Sequence, residues 1–175
     1  MNTISSERAG RNGAGQVLLL CTVFSMALLG FRMIYTGSHL FVFLAWNLFL
    51  AWIPYAVMMR LCSKQRKDWQ LLTGGLVWLL FLPNSFYLVT DLFHLDMNQF
   101  VPLWYDLALL FAFAWNGILF GLLSLNMAER LLENRLGKKP GLYFLLPVMA
   151  LNGLGVYVGR YLRFNSWDVL PIPFS

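Results

Sequence analysis

Residues 81–96 read FLPNSFYLVTDLFHLD, and the thirteen positions before Pro83, 70–82, carry no charge. Continued as a helix through Pro83, this stretch sets Asn84, Tyr87, Asp91 and His94 at i, i+3, i+7 and i+10. That spacing puts all four on one narrow face. A polar stripe starting inside an apolar segment is costly unless partners answer it. Pro83 adds a second demand, because a mid-helix proline frees the carbonyl four residues back, here Leu79, and kinks the helix. In lipid that carbonyl needs a new partner, such as Asn84 or a neighbouring helix. The reading is therefore a membrane-spanning helix, kinked at Pro83, with chemistry on one side.

The rest of the chain supports a lipid solvent. Of 175 residues, 59% are hydrophobic and 12% charged, against about 25% charged in a soluble domain. The mean hydropathy is +0.62. Fifteen Phe, seven Trp and seven Tyr suit bilayer interfaces. A net charge of +5 would suggest nucleic acid in a soluble protein; here it reads as basic loops fixing orientation, and no nucleic-acid partner is expected. Cys21 and Cys62 form no C-x-x-C and read as isolated thiols.

Apolar segments at 16–35, 39–61, 70–95, 102–128 and 141–161 are each long enough to cross a core about 30 Å thick. The fold class is an all-α polytopic transmembrane helical bundle of about five spans. Its divisions are a flexible cytoplasmic tail at 1–15, the helical domain at 16–163 and an outer-face tail at 164–175. Arg8, Arg11, Arg60, Lys64, Arg66, Lys67, Arg130, Arg135, Lys138 and Lys139 share the N-terminal side. Only Arg32, Arg160 and Arg163 fall on the other. This asymmetry sets the N-terminus in the cytoplasm.

The same topology gathers the unusual chemistry at the outer face: His39, Asp91, His94, Asp96, Asp106, Arg160, Arg163, Asn165 and Asp168. Asn84, Tyr87, Asp91, His94, Asp106, Asn116, Arg160 and Arg163 are the candidate binding residues. They would hold a small polar or anionic solute or a lipid headgroup, for binding or transport. No cofactor is expected. The alternative is a metal-assisted enzyme acting on lipid-linked substrates, with a divalent metal on Asp91, His94 and Asp106 and His39 as a further nitrogen. The plainest reading pairs Asp91 with Arg160 or Arg163, since charges near the ends of membrane helices usually pair or snorkel, and makes the protein an accessory component. Asn47, Asn116 and Asn152 lie deep in three spans and suit interhelical hydrogen bonds. Gly117/Gly121 and Gly155/Gly159 are G-x-x-x-G pairs, which serve packing within the chain or a homo-oligomer besides the lipid bilayer. Asn152, Gly155, Gly159 and Arg163 share one face, a groove with an amide in its depth and a cation at its mouth. No glycine-rich phosphate loop, G-x-S-x-G elbow or H-E-x-x-H is present.

Three runs resemble the signature of an uncharacterised bacterial multi-pass membrane family: P-N-S-F-Y-L-V-T-D-L-F-H-L at 83–95, W-Y-D at 104–106 leading into Asn116-Gly117, and G-R-Y-L-R-F-N-S-W-D at 159–168. The resemblance implies a bacterial inner-membrane protein and brings no known activity, substrate or cofactor.

Overall fold

The computed structural model describes residues 2–63, 66–95, 101–138 and 140–161, with backbone alone for 2–12 and 161. Five helices follow in order: α1 (Asn2–Thr36), α2 (Val42–Ser63), α3 (Asp68–Thr90), α4 (Leu103–Leu136) and α5 (Leu142–Tyr161). All five are long and apolar enough to cross a membrane. The described residues form no strand. Helix α1 begins at Asn2, inside the segment expected as a tail. Once the apolar span has nucleated a helix, extending it through 2–15 costs little per residue, and no proline stops it.

Helix ends follow local chemistry. Gly37, with φ 64°, ends α1 as its N–H returns to the Met33 carbonyl at 2.9 Å. Gly137, with φ 69°, closes α4 on Glu133 in the same way. Both are left-handed caps that a side chain would strain. Pro83 does not end α3, which runs on to Thr90 and tightens into a 3-10 turn over Asp91–His94. Asn84 donates its side-chain amide to the Phe81 carbonyl at 3.2 Å, two residues beyond the Leu79 carbonyl that Pro83 frees.

Helix α4 is the centre of the bundle. It packs against α1, α2 and α3, while α5 leans chiefly on α3. Leu109, Leu110 and Phe113 are wholly buried against Leu44 and Ala51 of α2 and Leu88 of α3. With lipid outside, burying such side chains gains little by transfer, so close packing and interhelical hydrogen bonds hold the helices together. Ser85 donates to the Ala51 carbonyl at 3.0 Å, and the Trp78 indole donates to Ser124 at 3.2 Å. Gly117 and Gly121 lie under Ser85, Phe86 and Leu88 of α3, and Gly155 lies under the Pro83 ring. These three glycines thus serve close approach inside the chain.

The join between α1 and α4 is polar. Arg32 grips Asp106 side-on, Nε to Oδ1 at 2.6 Å and Nη2 to Oδ2 at 3.0 Å, and both side chains are 1% exposed. The Arg32 guanidinium lies 4.4 Å from the centre of the Phe41 ring. Deeper, the Asn116 amide donates to Ser25 Oγ at 2.7 Å and to the Cys21 carbonyl at 3.1 Å. The Tyr105 hydroxyl donates to the Leu28 carbonyl at 2.8 Å. At the opposite end, Arg135 meets Asp68 at 2.8 Å, but both are exposed, so that pair contributes little.

Candidate functional site

Helices α2 and α5 both pack on α3 and scarcely touch each other. The gap between them is a cleft of about 230 Å³ with α3 as its back wall. It lies toward the end of the bundle where α3 and α5 finish and α2 begins. Phe43, Asn47 and Leu50 line it from α2, and Pro83, Asn84 and Tyr87 from α3. The 3-10 turn adds Asp91 and His94, and α5 adds Gly155, Gly159 and Arg160. The stripe read from spacing in residues 81–96 is therefore one face of a real cleft. The two α5 glycines give it a wall of bare backbone.

Asp91 is the buried acid of this cleft. It is 1% exposed, yet among the described residues its carboxylate accepts one hydrogen bond, from Asn47 Nδ2 at 3.0 Å, and joins no ion pair. An ionised carboxylate offers about four acceptor positions, and an unanswered charge at this depth is costly. His94 Nδ1 lies 3.2 Å from the Asp91 backbone carbonyl. A carbonyl only accepts, so Nδ1 carries the hydrogen, and in the neutral ring Nε2 is the acceptor. The imidazole is also held against the Phe43 ring, at 5.3 Å between centroids. Arg160 lies across the cleft on α5, its guanidinium carbon 5.8 Å from the centre of the Phe93 ring. No ion pair joins Arg160 to Asp91 among the described residues, so the expected Asp91–Arg160 bridge is not formed. The cleft can thus accept a hydrogen-bond donor or cation at Asp91, and an anion at Arg160.

Of the eight candidate binding residues, Asn84, Tyr87, Asp91, His94 and Arg160 come together here. Asp106 and Asn116 do not. They face α1, where Arg32 and Ser25 take up their hydrogen-bonding capacity, so their part is to fix one helix to another. Arg163 lies outside the described residues, as do Asp96, Asn165 and Asp168. His39 is exposed in the turn between α1 and α2 and lines no part of the cleft. With Asp106 engaged by Arg32, the proposed metal set of Asp91, His94 and Asp106 is not assembled. Among the described residues no group of three or more His, Cys, Asp or Glu could hold a metal.

Sequence reasoning missed two residues. Asn47 is the sole described donor to Asp91, and its place within an apolar span marked it only as an interhelical amide. Arg32 is the partner of Asp106, although it is the one charged residue within 16–35. A lone cation and a lone acid in two spans, both near the same membrane face, were the available signal.

A family model described as "Protein of unknown function (DUF1361)" matches residues 46–175. No curated protein matches, and no solved structure does.

Proposed function

We propose, for a chain that belongs to the DUF1361 family of proteins of unknown function, that the cleft between α2, α3 and α5 is a binding site. Its ligand is a small polar or anionic solute or a lipid headgroup. The observation that carries this reading is Asp91: a buried carboxylate that, among the described residues, has one hydrogen bond and no ion pair, lining a cleft that also holds Arg160. Asp106 and Asn116 differ from it, since each is met by side chains from α1. Beneath the cleft lies an apolar cluster of Met58, Trp78, Leu82, Leu125 and Val148, which favours binding over passage through the bundle. For a metal-assisted reaction at the same place, Asp91 and His94 are joined by no third His, Cys, Asp or Glu among the described residues.

In this reading the cleft opens at the outer face of a bacterial inner membrane, with the N-terminus in the cytoplasm. Arg60, Arg66, Arg130, Arg135 and Lys138 gather at the opposite end of the bundle. Against these stand Arg32, which is held in a buried pair, and Arg160, an asymmetry that supports a cytoplasmic N-terminus. An alkaline phosphatase fused after Ser175 is expected to be active and a green fluorescent protein fused there dark. The reverse pattern would overturn the orientation.

Binding itself is tested by thermal unfolding of the purified protein with inorganic phosphate, phosphatidylglycerol and phosphatidylethanolamine. A ligand that binds only the folded state raises the midpoint. At least one of these probes is expected to do so in the native protein and to lose most of that effect in Arg160→Gln. Equal responses in the native protein, Arg160→Gln and Asp91→Asn would remove the cleft as the site.

A further inference from the structure

We infer that the ligand of this cleft is zwitterionic: a cationic amine joined by a short linker to a phosphate or carboxylate, with the amine on Asp91 and the anion on Arg160. The inference rests on the binding reading and narrows it. Opposite charges in a low-dielectric setting attract strongly, yet Asp91 and Arg160 line one small cleft and form no ion pair. Asp91 is fixed by Asn47 and by its place in the 3-10 turn, and Arg160 lies near the Phe93 ring. Among the described residues the lining carries one carboxylate, Asp91, and one guanidinium, Arg160, with the His94 imidazole and the Tyr87 phenol beside them. A simple anion would satisfy Arg160 and leave Asp91 both unanswered and repelled. A simple cation would do the reverse. A ligand bearing both charges answers both, and the Tyr87 hydroxyl and the His94 ring lie beside its middle.

Two sources carry this chemistry, an aminophospholipid headgroup and a free zwitterion of the amino-acid or phosphoethanolamine kind. The cleft reaches from Arg160 and His94 down to Pro83 and Gly155, and among the described residues no fourth element lines it beyond α2, α3 with its terminal turn, and α5. A lipid can therefore present its headgroup from the side, through the gap between α2 and α5.

The test is native mass spectrometry of the full chain in detergent, titrated with phosphatidylethanolamine or phosphatidylglycerol, and then with soluble phosphoethanolamine or glycine as competitors. The native protein is expected to retain phosphatidylethanolamine roughly tenfold or more over phosphatidylglycerol, the worth of one charged hydrogen bond. Asp91→Asn should erase that preference while still retaining phosphatidylglycerol. Arg160→Gln should weaken both lipids. Displacement by phosphoethanolamine or glycine would identify the free zwitterion as sufficient; resistance to them would identify the lipid. Retention of phosphatidylglycerol at or above phosphatidylethanolamine, lost in Arg160→Gln, would overturn the zwitterion and leave the binding site standing. Retention unchanged by either substitution would overturn both. Asp91→Asn keeps the side chain's shape, and Arg160 is only half-buried, so Arg160→Gln still decides the matter if the first variant does not fold.

Discussion

Arg32→Ala is expected to destabilise the bundle by about 3–5 kcal/mol, the usual cost of removing one partner from a buried ion pair. The substitution leaves Asp106, 1% exposed, with neither of its two guanidinium hydrogen bonds. It also removes the cation lying over Phe41. Because α1 meets the bundle mainly through α4, the loss should fall on the docking of α1. Replacing both members, Arg32→Met with Asp106→Leu, should recover most of the loss, since no charge is then stranded. Equilibrium unfolding in mixed micelles measures both variants. The exposed pair at the other end supplies the contrast: Arg135→Ala should change nothing measurable. A double variant as unstable as Arg32→Ala alone would mean that the pair does more than neutralise itself.

Gly117→Ala should be the second large effect. A Cβ at this position would overlap the Ser85 carbonyl oxygen, and it would lie 2.8 Å from Leu88 Cδ1. The obstacle is helix backbone, which cannot swing aside as a side chain tip can. Overpacking of this kind typically costs about 1–3 kcal/mol. Gly153 lies on a different helix, where an added methyl would meet nothing within 4 Å. There Gly→Ala should be neutral or stabilising by about 0.5–1 kcal/mol through helix propensity. The two variants compared by thermal unfolding separate close approach from propensity. The α3–α4 contact also holds the back wall of the cleft, so Gly117→Ala should weaken ligand retention as well.

The fold was legible because hydropathy acts along the chain. Five apolar runs of sufficient length specify five spans without reference to their neighbours. The polar stripe was legible for a similar reason. Asn84, Tyr87, Asp91 and His94 lie on one short segment, so helical geometry alone brings them to one face. What spacing does not reveal is which distant helix a residue meets. Asp91 and Asp106 both lie near the outer ends of their spans, yet one faces the gap between α2 and α5 and the other faces α1. The division depends on how α4 rotates against its neighbours, and that is set by Gly117 and Gly121 meeting α3. Arg32 groups with the loop cations when side membership, and not depth, is read from the topology. Asn47 reads as an interhelical hydrogen-bonding amide, and it is one, but spacing does not name its partner, 44 positions away. Segment 1–15 reads as a tail from composition, but composition does not register the ease of extending an existing helix.

The central claim is that Asp91 and Arg160, unpaired with each other in one cleft, together take a ligand that carries both charges. A structure determined from a lipidic mesophase doped with phosphatidylethanolamine tests it most directly. The account predicts non-protein density bridging the Asp91 carboxylate and the Arg160 guanidinium, with Asn47 still bonded to Asp91. A guanidinium closed directly onto the Asp91 carboxylate, in a cleft empty of ordered density, would contradict it.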